Sequence, residues 1–151
     1  MSRVCFSMSR HIPASASQVF HLLDDYQNGH WRVLPPAFSD YRVLEGGFGE
    51  GTRITFSLTL GGRTTPTEGI VTVPDPGRVI VETYPREQMV TTFTVEPDGD
   101  AAHLTIATSF PTRLPLLAPV EERILRRLLE PIYAQEFALI AQWAPFWYDG
   151  V

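Results

Sequence analysis

A run of apolar residues at helical spacing closes this chain, and everything before it alternates like strands. Across residues 117–143, Leu117, Ile124, Leu125, Leu128, Leu129, Ile132, Leu139, Ile140 and Trp143 form one broad stripe of a helix. Arg123, Arg126, Arg127 and Glu130 fall on the other face. A lone long helix after a meander buries such a stripe only by lying across the face of a sheet. If the sheet is curved, the two part in places, and the gap is a candidate ligand cavity.

The strands follow from period-two alternation and turn residues. Residues 3–12 set Val4, Phe6 and Met8 against Cys5, Ser7 and Ser9, and Pro13 ends the run. Ser15 with Gln18 three positions on is a capping box, so a short helix is expected over 16–25. One or two further helical turns are expected over 26–31, before Pro35-Pro36. Residues 38–45 read as a strand of ambiguous phase, because Phe38 and Leu44 share one parity and Tyr41 and Val43 the other. The cleanest strand is 52–60, with Ile54, Phe56, Leu58 and Leu60 on one face. Gly61-Gly62 makes a hairpin turn, since both residues tolerate positive φ. Strands over 63–73, 78–84, 88–96 and 102–110 complete the set. The fold class is α+β: a curved seven-stranded antiparallel sheet around a long C-terminal helix, with two short helices after the first strand.

With 151 residues, the chain suits one domain spanning 1–151. A net charge of −5 argues against nucleic acid as a partner, because phosphate binding needs a basic face. The single cysteine, Cys5, excludes an internal disulfide and is expected to be a buried, inert thiol on its strand. No apolar run approaches the ~20 residues that span a bilayer, and the first residues lack a secretory apolar core. These features predict a soluble cytoplasmic protein, monomer or homodimer, with no integral membrane segment.

The element order resembles the SRPBCC superfamily, the START-like or Bet v 1-like helix-grip fold, and in particular its bacterial polyketide cyclase/dehydrase-like members. The segment from Ile12-Pro13-Ala14 through Gln18-Val19-Phe20 is similar to that family's first strand-to-helix junction. Leu44-Glu45-Gly46-Gly47 with Gly49-Glu50-Gly51-Thr52-Arg53 is similar to its glycine loop, and Val73-Pro74-Asp75-Pro76-Gly77-Arg78 to a later turn. Pro131-Ile132-Tyr133-Ala134-Gln135-Glu136-Phe137 is similar to its final helix. The resemblance implies a cavity between sheet and helix that accepts apolar molecules. It implies no shared catalytic motif, and fold alone does not fix chemistry.

Parity then nominates the lining: Ile54, Phe56 and Leu58; Val81; Thr91 and Phe93; Ile106, Thr108 and Phe110; and Leu128 and Ile132 from the helix. Over 63–73 two phases are open. One turns Ile70, Glu68 and Thr72 inward, and the resemblance favours it; the other turns Val71 and Val73 inward and Glu68 out. Trp31 is a candidate to close one mouth. The competing expectation is a solid core with no cavity.

Glu136 is the oddest residue, a carboxylate inside the apolar stripe. Either it is an acid at the end of the cavity, or Pro131 bends the helix and turns it to the rim or to an arginine; the second is favoured, because buried acids are rare unless paired. Glu68 is the other candidate acid. His21, Asp24 and Asp25 have helical spacing but read as a solvated face, so no metal is expected, and no cofactor. The glycine run lacks the residues of a phosphate loop. The aromatic group Phe146-Trp147-Tyr148 either tucks onto the body or meets a partner. The leading expectation is a binding protein for a small hydrophobic molecule such as a lipid, polyketide or quinone. The alternatives are a polyketide cyclase or dehydratase using a cavity carboxylate, and a protein-interaction module of the chaperone co-activator kind. Two acids facing one pocket would favour the enzyme.

Overall fold

Alternating residues pair into one sheet whose seven strands all run antiparallel. These are β1 (Arg3–Ile12), β2 (Phe38–Glu45), β3 (Arg53–Leu60), β4 (Arg63–Asp75), β5 (Val79–Tyr84), β6 (Met89–Asp98) and β7 (Ala101–Pro111), in the order β1-β7-β6-β5-β4-β3-β2. The computed structural model describes residues 2–147; Tyr148 lies outside them. The first strand pairs with the last, so the connection from β1 to β2 must cross from one sheet edge to the other. Helix α1 (Ala16–Asp24) and a single 3-10 turn at His30–Val33 make that crossing. The second expected helix is only this turn.

Local chemistry fixes the ends as the sequence indicates. The Gln18 amide donates to Ser15 Oγ, and the Ser15 amide to Gln18 Oε1, each at 3.0 Å. Gly61 and Gly62 have φ of 56° and 79°, the mirror-image turn that matches strand twist. The ambiguous phase of β2 has a physical cause. A bulge between Ser39 and Arg42, with Asp40 at φ 54°, adds one residue opposite β3, so Phe38, Tyr41 and Val43 all turn toward the core.

Two phases are corrected. On β4 the inward residues are Thr67, Gly69 and Val71, while Ile70 is 39% exposed on the outer face. On β5 the inward residues are Ile80, Glu82 and Tyr84, and Val81 points outward. Cys5, expected buried, is exposed, as its alternation with Val4 and Phe6 requires.

Helix α2 (Ala118–Trp143) lies across the concave face, as the stripe demands. Only its second half is buried: Leu129, Ile132, Tyr133, Glu136, Phe137 and Ile140. Phe6 of β1 meets Tyr133 at 5.6 Å between ring centroids, and Arg10 lies 5.6 Å from the Phe137 ring centroid. The first half of the stripe departs from expectation, with Leu117 and Ile124 about half exposed. Gln18 Nε2 donates to the carbonyls of Pro145 and Trp147, tying the end of α2 to α1. No helix among the described residues is long and apolar enough to cross a membrane.

Candidate functional site

The inward faces of the strands do not meet α2 everywhere, and a narrow cavity of about 40 Å³ remains between them. That is room for about three or four waters, since one needs roughly 10–15 Å³ on the same measure. Nine of the expected lining residues are there: Ile54, Phe56, Leu58, Thr91, Phe93, Ile106, Thr108, Phe110 and Ile132. Four are not. Ile70 and Val81 face outward by the phase corrections above. Trp31 is 45% exposed in a surface groove beside Tyr41 and Val43, its ring 4.5 Å from the Arg32 guanidinium. Leu128 sits one position round the helix, and Leu129 takes its place at the cavity.

Of the two candidate acids, Glu68 is removed by the phase of β4. It sits on the outer face, paired with Arg53, which also donates to Glu45 at 2.6 Å. Glu136 is 3% exposed and lines the cavity. The expectation that Pro131 turns it to the rim fails, because Pro131 occupies the exposed side of α2 and leaves the stripe facing the sheet. Among the described residues the Glu136 carboxyl has no hydrogen-bond partner. Burial, and then the nearby charge of Glu82, push its pKa up to about 8.

Glu82 is the acid that pattern reading missed. It sits on the inward face of β5 between Ile80 and Tyr84 and is 4% exposed. Tyr26 donates to its Oε2 and Tyr84 to its Oε1, both at 2.6 Å. His30 Nε2 lies 3.3 Å from Oε2. The other ring nitrogen, Nδ1, is 2.8 Å from the Leu23 carbonyl, which can only accept, so Nδ1 carries a proton. The His30 ring stacks on Tyr26 at 4.3 Å and receives Phe93 edge-on at 5.6 Å. Burial and the Glu82 charge hold both tyrosine hydroxyls well above their ordinary pKa, so they remain donors. A second polar line crosses from α2 to the sheet: Tyr133 bonds Thr108, and Thr108 bonds Thr91 at 2.9 Å.

Backbone makes room for this cluster at one point. A Cβ on Gly69 would stand 2.6 Å from Tyr84 Cε1. Gly69→Ala is expected to push Tyr84 off Glu82 and to destabilise the fold by about 1–3 kcal/mol, the usual cost of overpacking. Chemical denaturation would measure it; an unchanged midpoint would mean that the ring has room to move.

The polar groups therefore converge on one small space with apolar walls: an acid served by two tyrosine donors with His30 beside it, an acid with none, and a tyrosine–threonine line. Among the described residues no arginine or lysine lines it.

No curated protein matches the sequence. Solved structures do. The KanY protein is 24% identical with a TM-score of 0.79, over 95% of this chain and 99% of that one. The Zhui aromatase/cyclase from Streptomyces sp. R1128 is 18% identical with a TM-score of 0.72, over 95% and 94%. A START superfamily protein from Mycobacterium smegmatis is 16% identical with a TM-score of 0.74, over 91% and 97%. At these identities the likeness speaks for the helix-grip fold alone. The family profile described as polyketide cyclase/dehydrase and lipid transport matches residues 3–143, almost the whole described chain, and the protein belongs to that family.

Proposed function

We propose that the cavity takes a small, mostly apolar carbonyl compound and moves protons on it, as a cyclase or dehydratase of the polyketide kind does. One observation carries this reading: two carboxyls face one enclosed space in unlike surroundings. Glu136 has no partner and keeps its proton at neutral pH, its pKa standing at about 8. Glu82 has donors on both oxygens and is an acceptor. Unlike environments on two titratable groups are how one site holds both an acid and a base.

The chemistry follows from those roles. Glu136 donates a proton to the substrate carbonyl oxygen, or to a departing hydroxyl. Glu82 accepts the proton from the carbon alpha to the carbonyl, while Tyr26, Tyr84 and His30 hold its carboxylate in place. The product is an enol, which loses a β-hydroxyl as water or closes a ring. Apolar walls from Phe56, Phe93 and Ile106 exclude solvent and strengthen each of these interactions. As it stands the cavity holds only a few waters, so a small ring or short chain enters as a flexible side chain such as Met89 swings aside.

Deuterium exchange at the α-carbon of a small aryl ketone, followed by NMR in D₂O, tests the reading. The protein is expected to speed exchange about 100-fold or more over buffer, as positioned acid–base groups do. Tight retention of apolar compounds with no exchange would return the cavity to a binding role only.

A further inference from the structure

Between the end of β7 and the buried half of α2, the chain displays leucines to solvent. Leu116 is 97% exposed, Leu114 54% and Leu117 50%, and Val120 at 47% and Ile124 at 55% continue the strip along α2. Single exposed leucines are ordinary, but five large apolar residues within one short segment are a patch. The display is also built. The Glu121 carboxylate accepts from Thr112 Oγ1 at 2.9 Å, from the Arg113 amide at 3.1 Å and from the Leu114 amide at 2.8 Å. Those backbone bonds hold its pKa below the ordinary range. A 3-10 turn at Pro115–Leu117 follows, closed by the Leu117 amide on the Leu114 carbonyl at 2.7 Å. A clamp of this kind fixes the backbone and leaves the leucines facing out.

The charge around the patch has the opposite sign to the chain. Arg113, Arg123 and Arg127 are exposed here, against Glu121 and Glu122, and Glu121 is spent in the clamp, while Arg126 turns instead to the Phe6 ring, 5.2 Å from its centroid. The whole chain carries −5. Helical spacing sets Arg123 and Arg127 along one flank of Val120 and Ile124. The patch also adjoins the cavity. Phe110 lines both the cavity and the surface groove formed with Ile124, Leu125 and Leu128.

We propose that this patch docks the protein on an anionic membrane surface. Leu114, Leu116 and Leu117 enter the lipid interface, the arginines pair with lipid phosphates, and Phe110 separates the docked face from the cavity. Apolar residues flanked by arginine are the composition that binds such a surface without spanning it. A second copy fits worse, because it would set arginine against arginine.

Vesicle co-sedimentation tests this with the full chain. Binding to phosphatidylcholine–phosphatidylglycerol vesicles is expected to exceed binding to phosphatidylcholine alone by about tenfold or more, and to fall as salt is raised. Leu116→Glu is expected to abolish it without loss of fold, since that side chain touches almost nothing. Arg123→Glu with Arg127→Glu is expected to weaken it while leaving the leucines in place. No binding to anionic vesicles, or equal binding to both kinds, would overturn the proposal. So would a dimer in sedimentation velocity that Leu116→Glu dissociates, which would assign the patch to a second copy. None of these results depends on proton transfer in the cavity, which the exchange assay reads without lipid.

Discussion

Glu82→Ala is expected to destabilise the protein by about 3–5 kcal/mol, because it removes the acceptor that two buried tyrosine hydroxyls share. The cause is what the substitution leaves behind. Tyr26 and Tyr84 are buried, and each donates to Glu82. His30, 2% exposed, faces it as well. Without the carboxylate these groups lose their acceptor in a space with little water to replace it, and an unmet buried donor costs about 1–3 kcal/mol on its own. Glu82→Gln keeps an acceptor oxygen but aims an amide N–H₂ at a tyrosine or at His30, so a smaller loss is expected. Tyr26→Phe removes one donor and leaves the carboxylate with Tyr84 as donor and His30 beside it, and should cost least of the three. Denaturant unfolding of this series would establish the order Ala, Gln, Phe from most to least damaging. A Glu82→Ala protein within about 0.5 kcal/mol of wild type would show that the cluster is not a structural hub.

The series also bears on why this acid was hard to see in the sequence. Stripe, capping box and turn residues are local signals, and each gave its element nearly to the residue. The phase of β4 and β5 is not local. Their outer faces carry β-branched residues that pair across strands: Ile70 opposes Thr83, and Thr83 opposes Val90. Such pairs stabilise a sheet face that is not core. The inward positions hold Gly69, which must be small for Tyr84, and Glu82, which is polar. Counting β-branched residues therefore selects the wrong face on β5, and with it Val81; on β4 the pattern leaves both phases open, and the resemblance favours the wrong one, and with it Ile70 and Glu68. On β3, β6 and β7 the inward positions are apolar or threonine, and the same counting finds Ile54, Phe93 and Thr108. The partners of Glu82 come from positions 26, 30 and 84, and only the fold brings them together. Glu136 was legible because an acid within an apolar stripe is anomalous wherever the helix docks. What the pattern could not supply was the second carboxyl, which adds to burial in raising its pKa.

Glu136→Gln is expected to raise stability and abolish turnover together, and the two effects have different pH signatures. The folded-state pKa is about 8 against a reference of 4.5. Between those values the unfolded chain releases the proton and the folded protein keeps it, so the folded state binds more protons. Stability from this group is therefore greatest below pH 4.5, declines as pH rises toward 8, and levels off above. The cost at the upper end is on the order of 5 kcal/mol, from ~1.4 kcal/mol per pKa unit. Glutamine has nearly the same shape and never ionises, so the variant escapes this cost. Its melting temperature should match wild type near pH 4 and exceed it increasingly toward pH 8, by about 2–4 °C for each kcal/mol. Exchange of the aryl ketone α-proton should meanwhile fall by about 100-fold or more below pH 8, where the wild-type carboxyl still holds the proton that glutamine cannot transfer, and the difference should shrink above it. A variant more stable at high pH but with unchanged exchange would leave Glu136 as a buried acid that takes no part in the chemistry. A variant less stable than wild type at all pH values would mean that the carboxyl has a partner in solution, and would remove it as the acid of the site.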